Sequence, residues 1–218
     1  MQKAKKLMQI QSSGVVAVIR RQRPEDVVPL AEALVKGGVT TLEITVDSEQ
    51  SYQLIEEVKK RLGSTALVGS GTVLDAETAR TAIQAGADFI FSPTYNASLI
   101  EMAKRYGVIS IPGVLTPSEM VEAYQAGADI VKVFPASAFG PSYIKDLQGP
   151  LGHIPMIPTG GVNVENIGTY IANGAIATGV GGSLVNQSFI DNQDFGSITT
   201  LAEQFAEAVK EARTESES

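Results

Sequence analysis

The chain has 218 residues, 44% of them hydrophobic, enough to bury one sizeable core. Acidic residues (24) outnumber basic ones (17), the net charge is −7, and no Lys/Arg run is long enough to track a phosphate backbone, which argues against a nucleic-acid partner. Cysteine is absent, which removes disulfides, thiolate nucleophiles and Cys-based zinc sites together and gives no sign of an oxidising compartment. Met1 to Ser13 carries Lys3, Lys5 and Lys6 but no apolar signal-peptide core, and no stretch approaches ~20 consecutive apolar residues. The expectation is a cytoplasmic protein with no membrane partner.

After a short amphipathic N-terminal helix, Val15 to Ile19 is a near-continuous apolar run, as a parallel strand covered on both faces requires. Pro24-Glu25-Asp26 then opens a helix, and Val27, Leu30, Leu34 and Val35 recur with helical period up to Gly37-Gly38. The pattern repeats as strand 40–45, helix 49–62, strand 66–69, helix 75–86, strand 88–91, helix 96–106, strand 108–111 and helix 117–126. A strand around Lys132 follows, then a short helix 141–147, strand 156–159, helix 164–172, strand 175–179 and a last helix 197–213. Glycine recurs where helices end and strands begin, in Gly38-Val39, Gly86-Ala87-Asp88, Gly107-Val108, Gly127-Ala128-Asp129 and Gly174-Ala175. Eight βα units with no break in composition predict an α/β fold, a single closed (β/α)8 TIM barrel over residues 1–213, with a disordered polar tail at 214–218. The runner-up is an open doubly wound sheet. It would need G-x-G-x-x-G in the first βα loop, where Arg20-Arg21-Gln22-Arg23-Pro24 stands instead.

The chemistry of such a barrel gathers at the C-terminal ends of its strands. Lys132 lies within Ile130-Val131-Lys132-Val133-Phe134, where desolvation disfavours the ammonium and leaves neutral amine able to attack a carbonyl. The bland reading is a lysine that snorkels outward or pairs with a carboxylate. Glu43 lies inside Leu42-Glu43-Ile44, where burial raises its pKa and suits it to carry protons; its bland reading is a salt bridge to Lys132 or Arg20. Arg20, Thr45, Thr72, Ser92-Pro93, Pro112-Gly113, Phe134 and Thr159 complete the expected mouth. Gly160-Gly161 and Gly181-Gly182-Ser183 fall in the loops after the seventh and eighth strands, where this fold commonly holds phosphate. Each glycine pair alone is a weak signal; both in the two expected loops favour a phosphate. The sole histidine, His153, precedes a strand and reads as exposed, so a Ser-His-Asp triad lacks its base. Besides Glu43 only the carboxylates Asp47 and Asp75 fall near the mouth, a poor donor set for a catalytic metal, and covalent chemistry by lysine needs neither metal nor cofactor.

Six segments, read in order, resemble one family. They are Gly37-Gly38-Val39 with Leu42-Glu43-Ile44-Thr45, Gly69-Ser70-Gly71-Thr72-Val73, Ser92-Pro93, Ile111-Pro112-Gly113-Val114-Leu115-Thr116-Pro117-Ser118-Glu119, Lys132-Val133-Phe134-Pro135-Ala136 and Pro158-Thr159-Gly160-Gly161-Val162. Together they are similar to the 2-keto-3-deoxy-6-phosphogluconate (KDPG) and 4-hydroxy-2-oxoglutarate (KHG) aldolases. The resemblance implies Lys132 as Schiff-base lysine, Glu43 as proton shuttle, Thr72 as ligand of a pyruvyl carboxylate, Phe134 as an apolar wall, and a homotrimer. One position departs. Some members have an arginine four residues after the glutamate, where this chain has Asp47. Asp47 either faces the mouth, holds Arg20 or Arg21 in place, or is a solvated loop residue.

The reading is a class I aldolase that reversibly cleaves a 2-keto-4-hydroxy acid into pyruvate and an aldehyde: 2-keto-3-deoxy-6-phosphogluconate into pyruvate and glyceraldehyde 3-phosphate, and also 4-hydroxy-2-oxoglutarate into pyruvate and glyoxylate. Two alternatives stay open on the residues alone. A sugar-phosphate isomerase or epimerase would keep the phosphate loops with a different proton-transfer pair. A non-catalytic sugar-phosphate binding protein would use Lys132 and Glu43 only as an ion pair.

Overall fold

The structure, a computed structural model, describes residues 2–216. Helix α1 (Gln2–Ser13) precedes β1 (Val15–Ile19), α2 (Pro24–Lys36), β2 (Thr41–Thr45), α3 (Ser51–Leu62), β3 (Leu67–Gly71), α4 (Ala76–Gln84), β4 (Phe89–Phe91), α5 (Ala97–Arg105) and β5 (Ile109–Ile111). Then come β6 (Gly113–Val114), α6 (Pro117–Ala126), β7 (Val131–Val133), a 3-10 turn (Ala136–Ala138), α7 (Pro141–Leu151), β8 (Met156–Pro158), α8 (Val164–Ala172), β9 (Thr178–Val180), α9 (Gln187–Asp191) and α10 (Phe195–Ser216). Every strand pairing is parallel, in a six-stranded sheet of order β5-β4-β3-β2-β1-β9 and a three-stranded sheet β6-β7-β8. Where eight strands in one sheet are expected, the described residues form nine strands in two parallel sheets. Pro112 has no N–H to give to a ladder, and it splits the expected fifth strand into β5 and β6, which belong to different sheets. Backbone contacts cross between the sheets on both sides. Ile130 N–H, leading into β7, donates to the Ser110 carbonyl of β5 at 3.4 Å, Ile176 N–H, leading into β9, donates to the Met156 carbonyl of β8 at 3.1 Å, and Thr159 bridges Gly179.

The two faces of the strands bury two different cores. Leu42, Ile44, Val68, Val131 and Val133 pack outward against the helices, in the cluster that also holds Leu30, Leu54, Ile100 and Phe205. Val16, Leu67, Phe89, Phe91, Ile109, Ile111, Ile130 and Ile157 form a second, enclosed cluster. Ile10 of α1 joins this inner cluster with no exposed surface, so the N-terminal helix covers the end where the strands begin. Its Lys3 and Lys6 reach Asp129 at 2.8 Å and Asp88 at 2.7 Å, the aspartates of the repeated Gly-Ala-Asp junctions.

Helix boundaries follow local chemistry. Thr116 and Glu119 make a reciprocal capping box at α6, and Gly127 ends it at φ 100°, a conformation a side chain resists. Helix α7 runs one turn past the expected 147, because Leu151 is buried despite the Gly149-Pro150 stop signal. Helix α9, absent from the sequence reading, starts at Asn186, whose Oδ1 accepts from the N–H groups of Ser188 and Phe189. The tail boundary also moves: α10 continues through Thr214 to Ser216, with the Thr214 hydroxyl donating to Lys210 at 2.9 Å, while 217 and 218 lie outside the described residues.

Candidate active site

Lys132 is the central residue of β7, level with Gly113 on one side and Ile157 on the other, so its side chain starts from a strand flanked on both edges. It is 4% exposed, and Nζ sits 4.3 Å from the centre of the Phe91 ring and 4.7 Å from that of Phe134. Burial lowers its pKa. The Glu43 charge opposes that shift, and Arg20 adds to it. The rings supply an apolar wall that also offers some cation–π attraction to the protonated form.

Glu43 comes from the middle of β2, between Val18 and Gly69, and has no exposed surface. Desolvation raises its pKa to about 7, against the pull of the Lys132 and Arg20 charges and with a small push from Asp47. Among the described residues neither carboxylate oxygen has a hydrogen-bond partner, and no ion pair joins it to Lys132 or Arg20. The salt-bridge reading is therefore not what the structure contains. The space for this carboxyl is made by Gly71, where any β-carbon would overlap Glu43 Oε1. Gly71 belongs to one of the segments that carry the family resemblance, but nothing in the sequence signals this contact.

A cavity of about 770 Å³ opens above the lysine. Its lining includes Arg20, Lys132, Phe134, Thr159, Gly160, Gly161, Gly181, Gly182 and Ser183, so nine of the residues anticipated from sequence share one space. Glu43, Thr72 and Pro93 do not line it. Glu43 is enclosed, Thr72 lies to one side with its hydroxyl accepting from Arg20 Nη2 at 2.9 Å, and the Pro93 carbonyl packs on Gly113 beside Lys132. Gly160 and Gly161 stand at φ 100° and 76°, which suits glycine there. Leu184 and Val185 N–H both donate to the Gly181 carbonyl at 2.9 Å, a turn that turns the Gly182 and Ser183 amides outward as at a helix start. The Ser183 hydroxyl donates to Val162 at 2.6 Å, so toward a ligand it can only accept. His153 is exposed and stacks edge-on with Tyr124, away from this cavity.

Lining residues that were not anticipated include the polar Gln22, Asn163 and Gln187. Gln22 is buried, donates to Gln187 Oε1 at 3.0 Å and to the Arg20 carbonyl at 3.2 Å, and ties the first βα loop to α9. Asp47 accepts from Arg21 Nε at 2.8 Å. Of the three alternatives for Asp47, the structure shows the one in which it holds an arginine.

The family model described as KDPG and KHG aldolase matches residues 7–201. The KHG/KDPG aldolase of Escherichia coli (strain K12) is 36% identical over 200 residues, covering 90% of this chain and 92% of its own. The 2-dehydro-3-deoxy-6-phosphogalactonate aldolase of the same organism is 33% identical, covering 91% and 94%. The crystal structure of a Legionella pneumophila KDPG aldolase, with pyruvate captured at low pH as a covalent carbinolamine intermediate, superposes with a TM-score of 0.83 at 31% identity, covering 89% of this chain and 94% of that one. With a match across nearly the whole length and relatives this similar, the chain belongs to the KDPG and KHG aldolase family.

Proposed function

We propose that the protein is a class I aldolase that reversibly cleaves 2-keto-3-deoxy-6-phosphogluconate to pyruvate and glyceraldehyde 3-phosphate, and also 4-hydroxy-2-oxoglutarate to pyruvate and glyoxylate. The observation that carries this reading is a buried lysine amine, held between two aromatic rings, near an enclosed carboxyl with a pKa raised to about 7. Neutral Lys132 adds to the keto carbon, and loss of water gives an iminium. Glu43, through a water, takes the C4 hydroxyl proton; the C3–C4 bond breaks, its electron pair passes to the iminium, and the aldehyde leaves. The enamine takes a proton at C3 and the resulting imine is hydrolysed to pyruvate, freeing the amine.

In this reading Thr72, with Arg20 bonded to it, holds the pyruvyl carboxylate, Phe134 and Pro93 wall the reacting carbon, and Thr159 borders it. The Gly160-Gly161 and Gly181-Gly182-Ser183 turns take the phosphate. The sheet is read as one closed (β/α)8 barrel over a single domain, supported by the Ile130 N–H to Ser110 bond at one seam and the Ile176 N–H to Met156 bond at the other. A cytoplasmic homotrimer is part of the same reading. Exposed Phe139, Tyr106 and Leu74 support an assembly, and light scattering tests its size.

The test is steady-state cleavage with pyruvate detection. Lys132→Arg is expected to abolish turnover with the fold intact, because guanidinium stays protonated and forms no imine. Appreciable cleavage by that variant would rule out the Schiff-base route.

A further inference from the structure

Arg20 and Arg21 are consecutive, yet different groups hold them. Arg20 Nη2 donates to Thr72, whereas Arg21 Nε donates to Asp47. The splay comes from the backbone: Arg21 sits at φ 51°, a left-handed conformation that a residue with a side chain enters only when its surroundings hold it there. Its own N–H donates to Ser48 Oγ at 2.8 Å. Ser48 is buried and is fixed in turn by Thr45, through a hydroxyl contact at 3.0 Å and a backbone bond at 3.0 Å. One loop, following β2, thus pins Arg21 at both backbone and side chain.

That arrangement leaves a partly used cation bordering two adjoining spaces, one beside Asp47 and the other the cavity. Arg21 lines it together with Gly181, Gly182 and Ser183. Strands β1 and β9 are neighbours with Ala17 level with Val180, so the loops that follow them adjoin. Only Nε of Arg21 is occupied; among the described residues neither terminal nitrogen has a hydrogen-bond partner. Asp47 therefore grips the guanidinium from the side and leaves its end-on fork, the geometry that matches phosphate oxygens. Glycine would adopt this φ with less strain, so the arginine is to be accounted for by its head group.

We infer that Arg21, aimed by Asp47 and Ser48, binds the terminal phosphate of the keto acid beside the Gly181–Ser183 turn and sets the preference for phosphorylated over unphosphorylated substrates. The inference rests on the aldolase reading above and assigns it a specificity residue. Asp47 then orients a cation and does not face the substrate's negative charge.

The test measures kcat and KM on 2-keto-3-deoxy-6-phosphogluconate and on the same acid without phosphate, for wild type, Arg21→Gly and Asp47→Asn. Arg21→Gly is expected to hold or raise Tm, since it relieves the strained φ, while the phosphorylated-to-unphosphorylated ratio of kcat/KM falls by roughly 10- to 100-fold, mainly through KM. Asp47→Asn should lower the ratio less, because the guanidinium remains but is no longer held. An unchanged ratio in Arg21→Gly, with Tm lowered, would make Arg21 merely the structural partner of Asp47 and overturn the inference. A wild type that cleaves neither acid would overturn the aldolase reading itself, and the inference with it.

Discussion

Glu43 folds into a site that favours its neutral form, because burial lifts its carboxyl from 4.5 to about 7. The sign of the pH dependence follows. Below about 4.5 both folded and unfolded chains carry the proton; between 4.5 and 7 the unfolded chain has lost it while the folded one keeps it. Stability therefore falls as pH rises through that window, by about 3 kcal/mol in all, and stays lower above it. Glu43→Gln should flatten this part of the profile in urea titrations and slow turnover by ~10²–10⁴, the range for loss of a general acid–base. Identical slopes in the two proteins would mean that Glu43 ionises normally. Lys132 has the opposite sign: its ammonium is disfavoured by burial, so its contribution improves as pH rises toward 10.5.

Among the elements, α1 is held by charge as well as by Ile10. Asp88 receives Lys59 at 2.6 Å, Lys6 at 2.7 Å and the Val68 N–H at 3.0 Å. Burial opposes its ionisation, but the bonds from Lys59, Lys6 and Val68 outweigh burial and hold the pKa below 3.8. Its stabilisation is thus complete above that value and is lost as pH falls through the folded pKa. Asp88→Ala is expected to cost about 2 kcal/mol, since two lysines and an amide lose their acceptor. It should also speed amide exchange in α1. Exchange rates like those of wild type would place the attachment of α1 in its apolar face alone.

At the scale of the whole molecule, the alternation of strand and helix was legible because each strand is an apolar run and each helix has a periodic face ending near glycine. Lys132 and Glu43 stood out for the same reason: a charged residue between β-branched or aliphatic neighbours has to be buried with them. Other features left no such trace. Pro112 marks a break in a ladder, but nothing in Ile111-Pro112-Gly113 says that the two halves join different sheets. Helix α9 has a single apolar turn, so only the Asn186 cap could have signalled it. The left-handed turn at Arg21 and the space that Gly71 leaves for Glu43 depend on contacts between segments distant in sequence.

The central claim is that Lys132 forms the covalent bond to the keto acid. Incubation with pyruvate and borohydride, followed by proteolysis and peptide mass mapping, tests it most directly. A reduced pyruvyl adduct on Lys132, formed only when both reagents are present, is the expected result; an adduct on another lysine, or none, would contradict Schiff-base chemistry at Lys132.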